Sequence, residues 1–249
     1  MSVQLALVHT RFQFLETIRI PIAVIGNCLF PPLVLLFFVV PIEAVRTDPV
    51  ASTTAVAQVA VFAAMSTCLF TFGVGVAEDR ALPWDGYVRT LPAGPGPRLA
   101  GRLLNGMAFA LLGLVPVLAV AGLFTAATAT VQQFLGGVAV LLGGAAPFLF
   151  AGFAIGYLLP VKAALAAAQL LLFPLAFGGG LFLPPAVFPG WLDSVSQVLP
   201  TRGVRDLLVT VLTGTPPSAL AVTALAGWTV LLAALAGWAY RRDEGRRFR

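Results

Sequence analysis

Residues 103–161, "LLNGMAFALLGLVPVLAVAGLFTAATATVQQFLGGVAVLLGGAAPFLFAGFAIGYLLPV", form a run of 59 residues without a charged side chain. A helix needs about 20 apolar residues to cross a bilayer, so the run is long enough for two spans. Its one polar patch, residues 125–133, is the predicted turn between them. The run is continuously apolar and does not alternate, which predicts helices rather than barrel strands, because a helix pairs its backbone amides within its own segment.

The rest of the chain repeats this pattern. Charged residues make up 10% of the chain, where a soluble domain carries about 25%. Further charge-free stretches occupy residues 20–42, 49–77, 163–192 and 207–240, and each is long enough for one span. We therefore predict an all-α membrane protein with a single transmembrane domain over residues 1–249. Its six spans are placed near residues 21–42, 52–77, 103–123, 131–158, 161–181 and 219–240.

The basic residues orient these spans. With the N-terminus inside, twelve of the fifteen lysines and arginines lie on the inner side. The positive-inside rule then places both termini in the cytoplasm. Five of the twelve are in the C-terminal "RRDEGRRFR", 241–249, which we interpret as a contact with anionic membrane lipid rather than with nucleic acid.

Two segments outside the spans are predicted to be helical. Residues 5–20 place apolar and polar side chains on separate stripes, which is typical of an amphipathic helix in the membrane interface; the alternative is an irregular tail. Residues 182–206 are too apolar for an exposed loop and contain several prolines, which prevent one long helix. Short re-entrant helices on the outer side are expected there.

Small residues and prolines mark points inside the spans. Gly152 and Gly156 have the spacing of a close helix–helix contact. The "GGG" at 178–180 predicts a bend or an unwound point at the end of span five. Pro31 and Pro32 predict a kink in span one.

Several kinds of chemistry are absent from the sequence. The only lysine, Lys162, follows Val161, whereas a P-loop needs glycine immediately before its lysine. The only histidine, His9, has no ligands nearby for a metal site. With the acids outside the predicted spans, no catalytic arrangement can be assembled. We therefore expect a chain that is not an enzyme and holds no metal or other cofactor.

Neutral polar residues are what the spans hold instead. A proton- or ion-coupled carrier usually has titratable residues in the membrane interior, and none is found in these spans. Hydrogen bonds between helices are one interpretation of the neutral residues, and a substrate pathway is the other. The candidates for the pathway are Asn27, Gln58, Ser66, Thr71 and Gln169.

The segment 77–102 is the polar exception between two spans. Within it, Trp84, Tyr87, Val88 and Leu91 have the spacing of one apolar face of a two-turn helix, residues 84–91. A helix this short is not stable alone in water, so its aromatic face must pack against the membrane surface or a partner's groove.

The order of these features along the chain resembles that in the permease subunit of type-two ABC exporters. This group includes the daunorubicin-resistance-type drug-efflux permeases. The resemblance covers the amphipathic N-terminal helix, six spans, "YVRTLPAGPGPRLAGR" at 87–102 and the broken passage "LPPAVFPGWLDSVSQVLPTRGVRDLL" at 183–208. It implies a prokaryotic plasma membrane protein that pairs with a second permease, as a homodimer or heterodimer. It also implies a separate cytoplasmic ATPase subunit that binds ATP and Mg²⁺.

In that family the helix between spans two and three couples the permease to the ATPase. The resemblance therefore assigns ATPase coupling to Glu78, Asp79, Arg80, Trp84, Tyr87, Val88, Arg89 and Leu91. The expected function is export of hydrophobic or amphipathic molecules by alternating access, with drug or antibiotic efflux first. The alternatives are lipid or polysaccharide export by the same family, or a channel or scaffold that needs no ATPase.

The aromatic face of 84–91 gives a direct test. We expect Trp84→Ala combined with Tyr87→Ala to abolish docking of the ATPase, because aromatic anchors commonly carry most of the binding energy. Docking is measured by co-purification, and membrane insertion by recovery of the chain in the membrane fraction. Trp191→Ala, on the predicted outer side, is the control. Full docking and coupled transport by the double variant would contradict the coupling assignment.

Overall fold

The computed structural model describes residues 3–19, 21–83 and 95–246 of the chain. Within these ranges the regular structure is helical, with no strand. This confirms the predicted all-helical class for the described residues. The predicted coupling helix, 84–91, lies outside them.

Ten helical elements are described, and we number them in chain order. They are α1 (Val3–Ile18), α2 (Pro21–Phe38), α3 (Glu43–Arg46), α4 (Pro49–Ala81), α5 (Pro95–Phe124), α6 (Val131–Leu158), α7 (Val161–Gly178), α8 (Gly190–Val198), α9 (Pro200–Thr213) and α10 (Ala219–Arg246). A short 3₁₀ turn, Pro185–Val187, precedes α8.

Five of the described helices are long and apolar enough to cross a membrane: α4, α5, α6, α7 and α10. They correspond to predicted spans two to six. Predicted span one coincides with α2, which runs through Pro31 and Pro32 without ending. The described apolar stretch of α2, Leu29–Phe38, is shorter than a span. A sixth span, and the kink at the two prolines, therefore stay predictions.

The helix ends differ from the sequence boundaries because local caps set them. Helix α4 starts at Pro49, where the Asp48 carboxylate accepts a hydrogen bond from the backbone N–H of Ala51 at 2.6 Å. The predicted turn between spans three and four is present. Helix α6 begins there with a capping box, in which Thr130 and Gln133 satisfy each other's backbone N–H groups.

Helix α4 is the centre of the molecule. In the most apolar 18-residue stretch of α4, 78% is buried inside the protein, whereas 17% of the corresponding stretch of α10 is buried. Its buried residues include Val61, Phe62, Met65 and Leu69, which belong to the main hydrophobic core. Helices α2, α5 and α9 pack on its first part. The exposed apolar side chains of the outer helices, such as Leu170 and Val230, are left to face lipid.

The second half of α4 contains a π-helical segment, Cys68–Val74, against which α6 packs closely. A Cβ built on Gly152 would lie 2.7 Å from the Cys68 carbonyl oxygen, and one built on Gly156 would lie 2.7 Å from that of Phe72. The rings of Phe72 and Phe153 are 5.1 Å apart in the same interface. The predicted close contact at Gly152 and Gly156 is confirmed, with α4 as the partner helix.

The passage after α7 is broken, as the sequence predicts. Helix α7 ends at Gly178, and Gly180 has φ of 77°, a conformation that favours glycine. Short helices follow, which fits the expectation for residues 182–206, whereas their depth in a membrane stays a prediction. Helix α9 packs against α4, α6 and α10. Gly203 allows this, because a Cβ there would lie 2.5 Å from the Ala221 carbonyl oxygen.

An ion-pair network joins α8 and α9. The Arg202 guanidinium donates to Asp193 and Asp206 at 3.0 Å, and Arg205 contacts Asp206 at 2.8 Å. Hydrogen bonds from Arg202 and Gln197 lower the pKa of Asp193 below its usual range. The Arg202–Asp193 ion pair therefore stabilises the contact of α8 with α9 at pH values above the ordinary pKa of aspartate. That contribution is lost as the pH falls through the lowered pKa of Asp193.

Helix α1 packs along α5. The rings of Phe14 and Phe109 are 5.1 Å apart, and the Thr10 hydroxyl donates to the Gly101 carbonyl at 3.4 Å. Its apolar residues Val8 and Phe12 are exposed, whereas residues of its polar stripe turn toward the protein. A helix that places its apolar side chains outward is suited to a lipid environment.

The α4–α6 contact predicts the effect of adding one methyl group. We expect Gly156→Ala to lower the free energy of unfolding by about 1–3 kcal/mol, because the new Cβ must push against the backbone of α4. Gly143→Ala, in the same helix but with open space around it, should be neutral or slightly stabilising. Thermal unfolding in detergent measures both. Equal effects of the two substitutions would contradict the tight contact.

Candidate functional site: a central cavity and a charged cluster

A cavity of about 630 Å³ lies between α1, α2, α4, α5 and α7. Its volume is in the range of small-molecule sites. The part of α4 that lines it runs from Phe62 to Asp79, and therefore includes the π-helical segment. Other lining residues are Gln13, Glu16 and Thr17 of α1, Phe30 and Pro31 of α2, Arg102, Asn105 and Phe109 of α5, and Gln169, Leu172 and Phe173 of α7.

Aromatic rings form one part of the lining, and we call them the aromatic set: Phe30, Phe62, Phe70, Phe109 and Phe173. Phe62 is fully buried and holds two neighbours in place. Its ring lies 5.6 Å from that of Phe30 and 5.1 Å from that of Phe182. Such pairs add about 0.5–1.5 kcal/mol beyond the area they bury, so this wall is a packed structure and not a loose surface.

Hydrogen-bond acceptors form another part, and we call four residues the acceptor set: Gln13, Glu16, Glu78 and Asn105. Asn105 is only 5% exposed, and its Oδ1 has no hydrogen-bond donor among the described residues. The same holds for Oε1 of Gln13. A buried acceptor without a partner costs about 1–3 kcal/mol, which the protein does not recover from its own described contacts.

Three of the five predicted pathway residues line the cavity. They are Ser66, Thr71 and Gln169. The Ser66 hydroxyl also donates to the Ala63 carbonyl at 3.0 Å, so its hydrogen bond is satisfied within its own helix. Gln58 is buried in α4 but does not line the cavity, and its Nε2 has no acceptor among the described residues. Asn27 lies in α2, and its side chain is outside the described part.

The charged residues at the end of α4 form ion pairs with different neighbouring helices. Asp79 forms an ion pair with Arg102 of α5. Arg80 forms an ion pair with Asp243 of α10 and donates to the carbonyl of Gly156, at the end of α6. Four helices therefore meet through two adjacent side chains of α4. We call these four charged residues, Asp79, Arg80, Arg102 and Asp243, the charged clamp.

Aromatic side chains surround the clamp. The Arg80 guanidinium lies 5.9 Å from the centre of the Tyr157 ring, and Tyr157 meets Tyr240 edge to face at 5.1 Å. The Tyr240 hydroxyl donates to Glu244 at 2.5 Å. Asp243 is only 5% exposed. Its charge is thus removed from water, and the ion pair with Arg80 contributes to its compensation.

The predicted coupling residues fall into two groups. Glu78 is exposed to the cavity, whereas Asp79 and Arg80 make the contacts of the clamp. Trp84, Tyr87, Val88, Arg89 and Leu91 lie outside the described residues, in the connection between α4 and α5. The clamp is therefore separated by only a few residues from the predicted coupling helix along the chain.

Sequence reasoning missed the partners. Arg102 was counted among the inner-side basic residues and Asp243 lay in the C-terminal segment 241–249. Neither was predicted as a site residue, because nothing in their local pattern points to α4. Gln13, Glu16 and Asn105 were also absent from the predicted pathway. Asn105 did carry a signal, since it is a polar residue within an apolar span, but the contact of α1 with α5 that brings Gln13 and Glu16 to the cavity is tertiary.

Comparison with known proteins shows a similarity to a bacterial transport permease. No protein-family model matches the chain. The chain is 24% identical over 185 residues to a protein of Bacillus subtilis (strain 168) named "Putative transport permease YvfS", and the match covers 74% of this chain and 75% of that protein. Together with the five apolar helices, this similarity supports a multi-pass membrane transport subunit.

The clamp predicts a large effect of removing one partner. We expect Asp243→Asn to lower the free energy of unfolding by roughly 2–4 kcal/mol, because it leaves the Arg80 charge less compensated in a mostly buried position. The double variant Arg80→Gln, Asp243→Asn should cost less than the sum of the two single variants. Denaturant unfolding in detergent measures these values.

The control for this cycle is Arg241→Gln, an exposed charge on the same helix as Asp243. It should change the free energy of unfolding by less than about 0.5 kcal/mol. Strictly additive effects of Arg80→Gln and Asp243→Asn would contradict the clamp.

Proposed function

We propose that the chain is the membrane-spanning subunit of an ATP-driven exporter of the ABC type. The observation that carries the proposal is the cavity of about 630 Å³ with both aromatic and polar lining, in a chain similar to a transport permease. A cavity with these two kinds of lining suits an amphipathic molecule, since each part of the molecule finds a matching wall.

The energy source is a separate subunit in this proposal. The sequence has no P-loop, because its only lysine follows Val161. ATP and Mg²⁺ are therefore bound by a cytoplasmic ATPase, which docks at residues 84–91 between α4 and α5. Both termini face the cytoplasm of a prokaryotic cell, and a second permease, identical or different, completes the membrane part.

The clamp suggests how movement at the docking site reaches the cavity. A pull on the connection after α4 acts first on Asp79 and Arg80, which hold α5, α6 and α10. Helices α4 and α5 also line the cavity, so a shift of their ends changes its walls. Switching between inward- and outward-facing states follows from ATP binding and hydrolysis, through a discrete rearrangement of packed helices.

Efflux of a drug or antibiotic is the first cargo class in this proposal, and lipid or polysaccharide export is the second. The cavity volume favours the first, because a drug-sized molecule fills a site of this size. A channel or scaffold without an ATPase is the competing function.

The first test is purification of the tagged chain from its native membrane, with the partners identified by mass spectrometry. We expect a P-loop ATPase in stoichiometric amount, and ATP turnover that changes when the chain is added back to the isolated ATPase. Absence of an ATPase, or turnover indifferent to this chain, would contradict the proposal and favour a channel or scaffold.

The second test fills the cavity. Gly75 lines it, and the nearest atom to a Cβ built there is 3.9 Å away, so a large side chain can enter without a clash at its base. We expect Gly75→Phe to keep the ATPase complex and to reduce transport of lipophilic dyes by proteoliposomes to background. Gly227→Phe, with open space at an exposed site of α10, is the control and should transport normally. Normal transport by Gly75→Phe would contradict a path through this cavity.

A further inference from the structure

The charges that line the cavity do not balance. Among the described residues, its walls carry the carboxylates of Glu16, Glu78 and Asp79, and one guanidinium, Arg102. Asp79 is paired with Arg102. Glu16 and Glu78 have no ion-pair partner in the described part of the chain. The described lining thus keeps two carboxylates that no arginine or lysine of the described walls neutralises.

The neutral polar atoms point to the same kind of ligand. Oδ1 of Asn105, in a side chain that is 95% buried, and Oε1 of Gln13 both lack a donor in the described structure. Both residues line the same cavity as Glu16 and Glu78. Buried acceptors are normally satisfied, so the oxygens of Asn105 and Gln13 fit donors from an incoming molecule, and the exposed carboxylates of Glu16 and Glu78 add negative charge to the same lining.

The aromatic set supplies the rest of the site. Phe62 and Glu78 lie on the same helix, about 24 Å apart along its axis. Rings near Phe62, far from Glu78, accommodate an apolar body. Rings closer to the acceptors, such as Phe70, can also face a cation with their electron-rich surfaces. The walls therefore present apolar surface, negative charge and acceptors around one partly open cavity.

We propose that this cavity selects an amphipathic cation: a molecule with an ammonium, amidinium or similar head that meets Glu16, Glu78 and the Asn105 carboxamide, and an apolar body that meets the aromatic set. This deepens the proposed function, on which it rests, by giving the chemical class of the cargo. An anionic molecule of the same shape is excluded by repulsion from the two carboxylates.

The test uses two ions of nearly equal shape and opposite charge. Tetraphenylphosphonium and tetraphenylborate each carry four phenyl rings around one central atom. Binding of each is measured by equilibrium dialysis with the full chain in nanodiscs of phosphatidylcholine, and empty nanodiscs correct for partition into lipid. We expect saturable binding of the phosphonium ion, and at least about tenfold weaker binding of the borate ion.

Three variants separate charge from shape. Glu16→Gln combined with Glu78→Gln keeps the side-chain size and should weaken phosphonium binding by about tenfold without weakening borate binding. Glu43→Gln removes one carboxylate from α3, away from the cavity, and should change neither. Phe173→Ala should weaken both ions alike, because it removes apolar wall and no charge.

Equal affinity for the two ions, or a phosphonium preference unchanged in the Glu16→Gln, Glu78→Gln variant, would overturn the cation site. Size-exclusion profiles of all variants verify that they are folded. The outcome is independent of the exporter proposal, because binding needs no ATPase. Loss of charge selectivity with an intact ATPase complex would refute the cation site alone, whereas selective binding without any ATPase partner would refute the exporter alone.

Discussion

The buried position of α4 is the constraint on which the rest of the structure depends. A helix whose apolar stretch is mostly buried must be contacted closely by its neighbours. The neighbouring helices supply the small residues that allow this. Gly152 and Gly156 bring α6 against the π-helical segment, on the side of Phe72. The wider segment also places Phe70, Thr71 and Val74 on the cavity wall. Such segments occur frequently at functional sites, and here one segment serves helix contact and cavity lining together.

Much of the fold follows from the absence of charge along the chain. The charge-free runs predicted five of the described long helices, and the glycine spacing in span four predicted a close contact. The ends of the helices could not be predicted in the same way. A charge was taken to end a span, yet Glu78, Asp79 and Asp243 lie inside helices. Asp79 and Asp243 each form an ion pair with an arginine of a neighbouring helix, which is a tertiary property.

The candidate site was predicted in part for the same reason. Ser66, Thr71 and Gln169 were predicted because they are polar residues within apolar runs, and they do line the cavity. Gln58 had the same sequence signal and lies elsewhere, because its position on the buried helix turns it away. The contribution of α1 depends on how α1 packs along α5. Neither hydropathy nor spacing contains that information, since the polar stripe of α1 has the same pattern whether it faces water or a cavity.

The cavity and the clamp together explain why the polar residues of this chain are distributed as they are. In a protein that had only to be stable, the unpaired acceptors of Asn105 and Gln13 would be a cost without return, while the clamp pairs its own buried charges. The two buried side-chain oxygens that lack a donor among the described residues both line the cavity, although Nε2 of Gln58 also lacks a partner elsewhere in the protein. Local departures from full satisfaction are expected at functional sites, where an incoming molecule completes the hydrogen bonds. Two unpaired acceptors on different helices, α1 and α5, line one cavity, and this is the strongest physical reason to regard the cavity as a binding site with the clamp as its support.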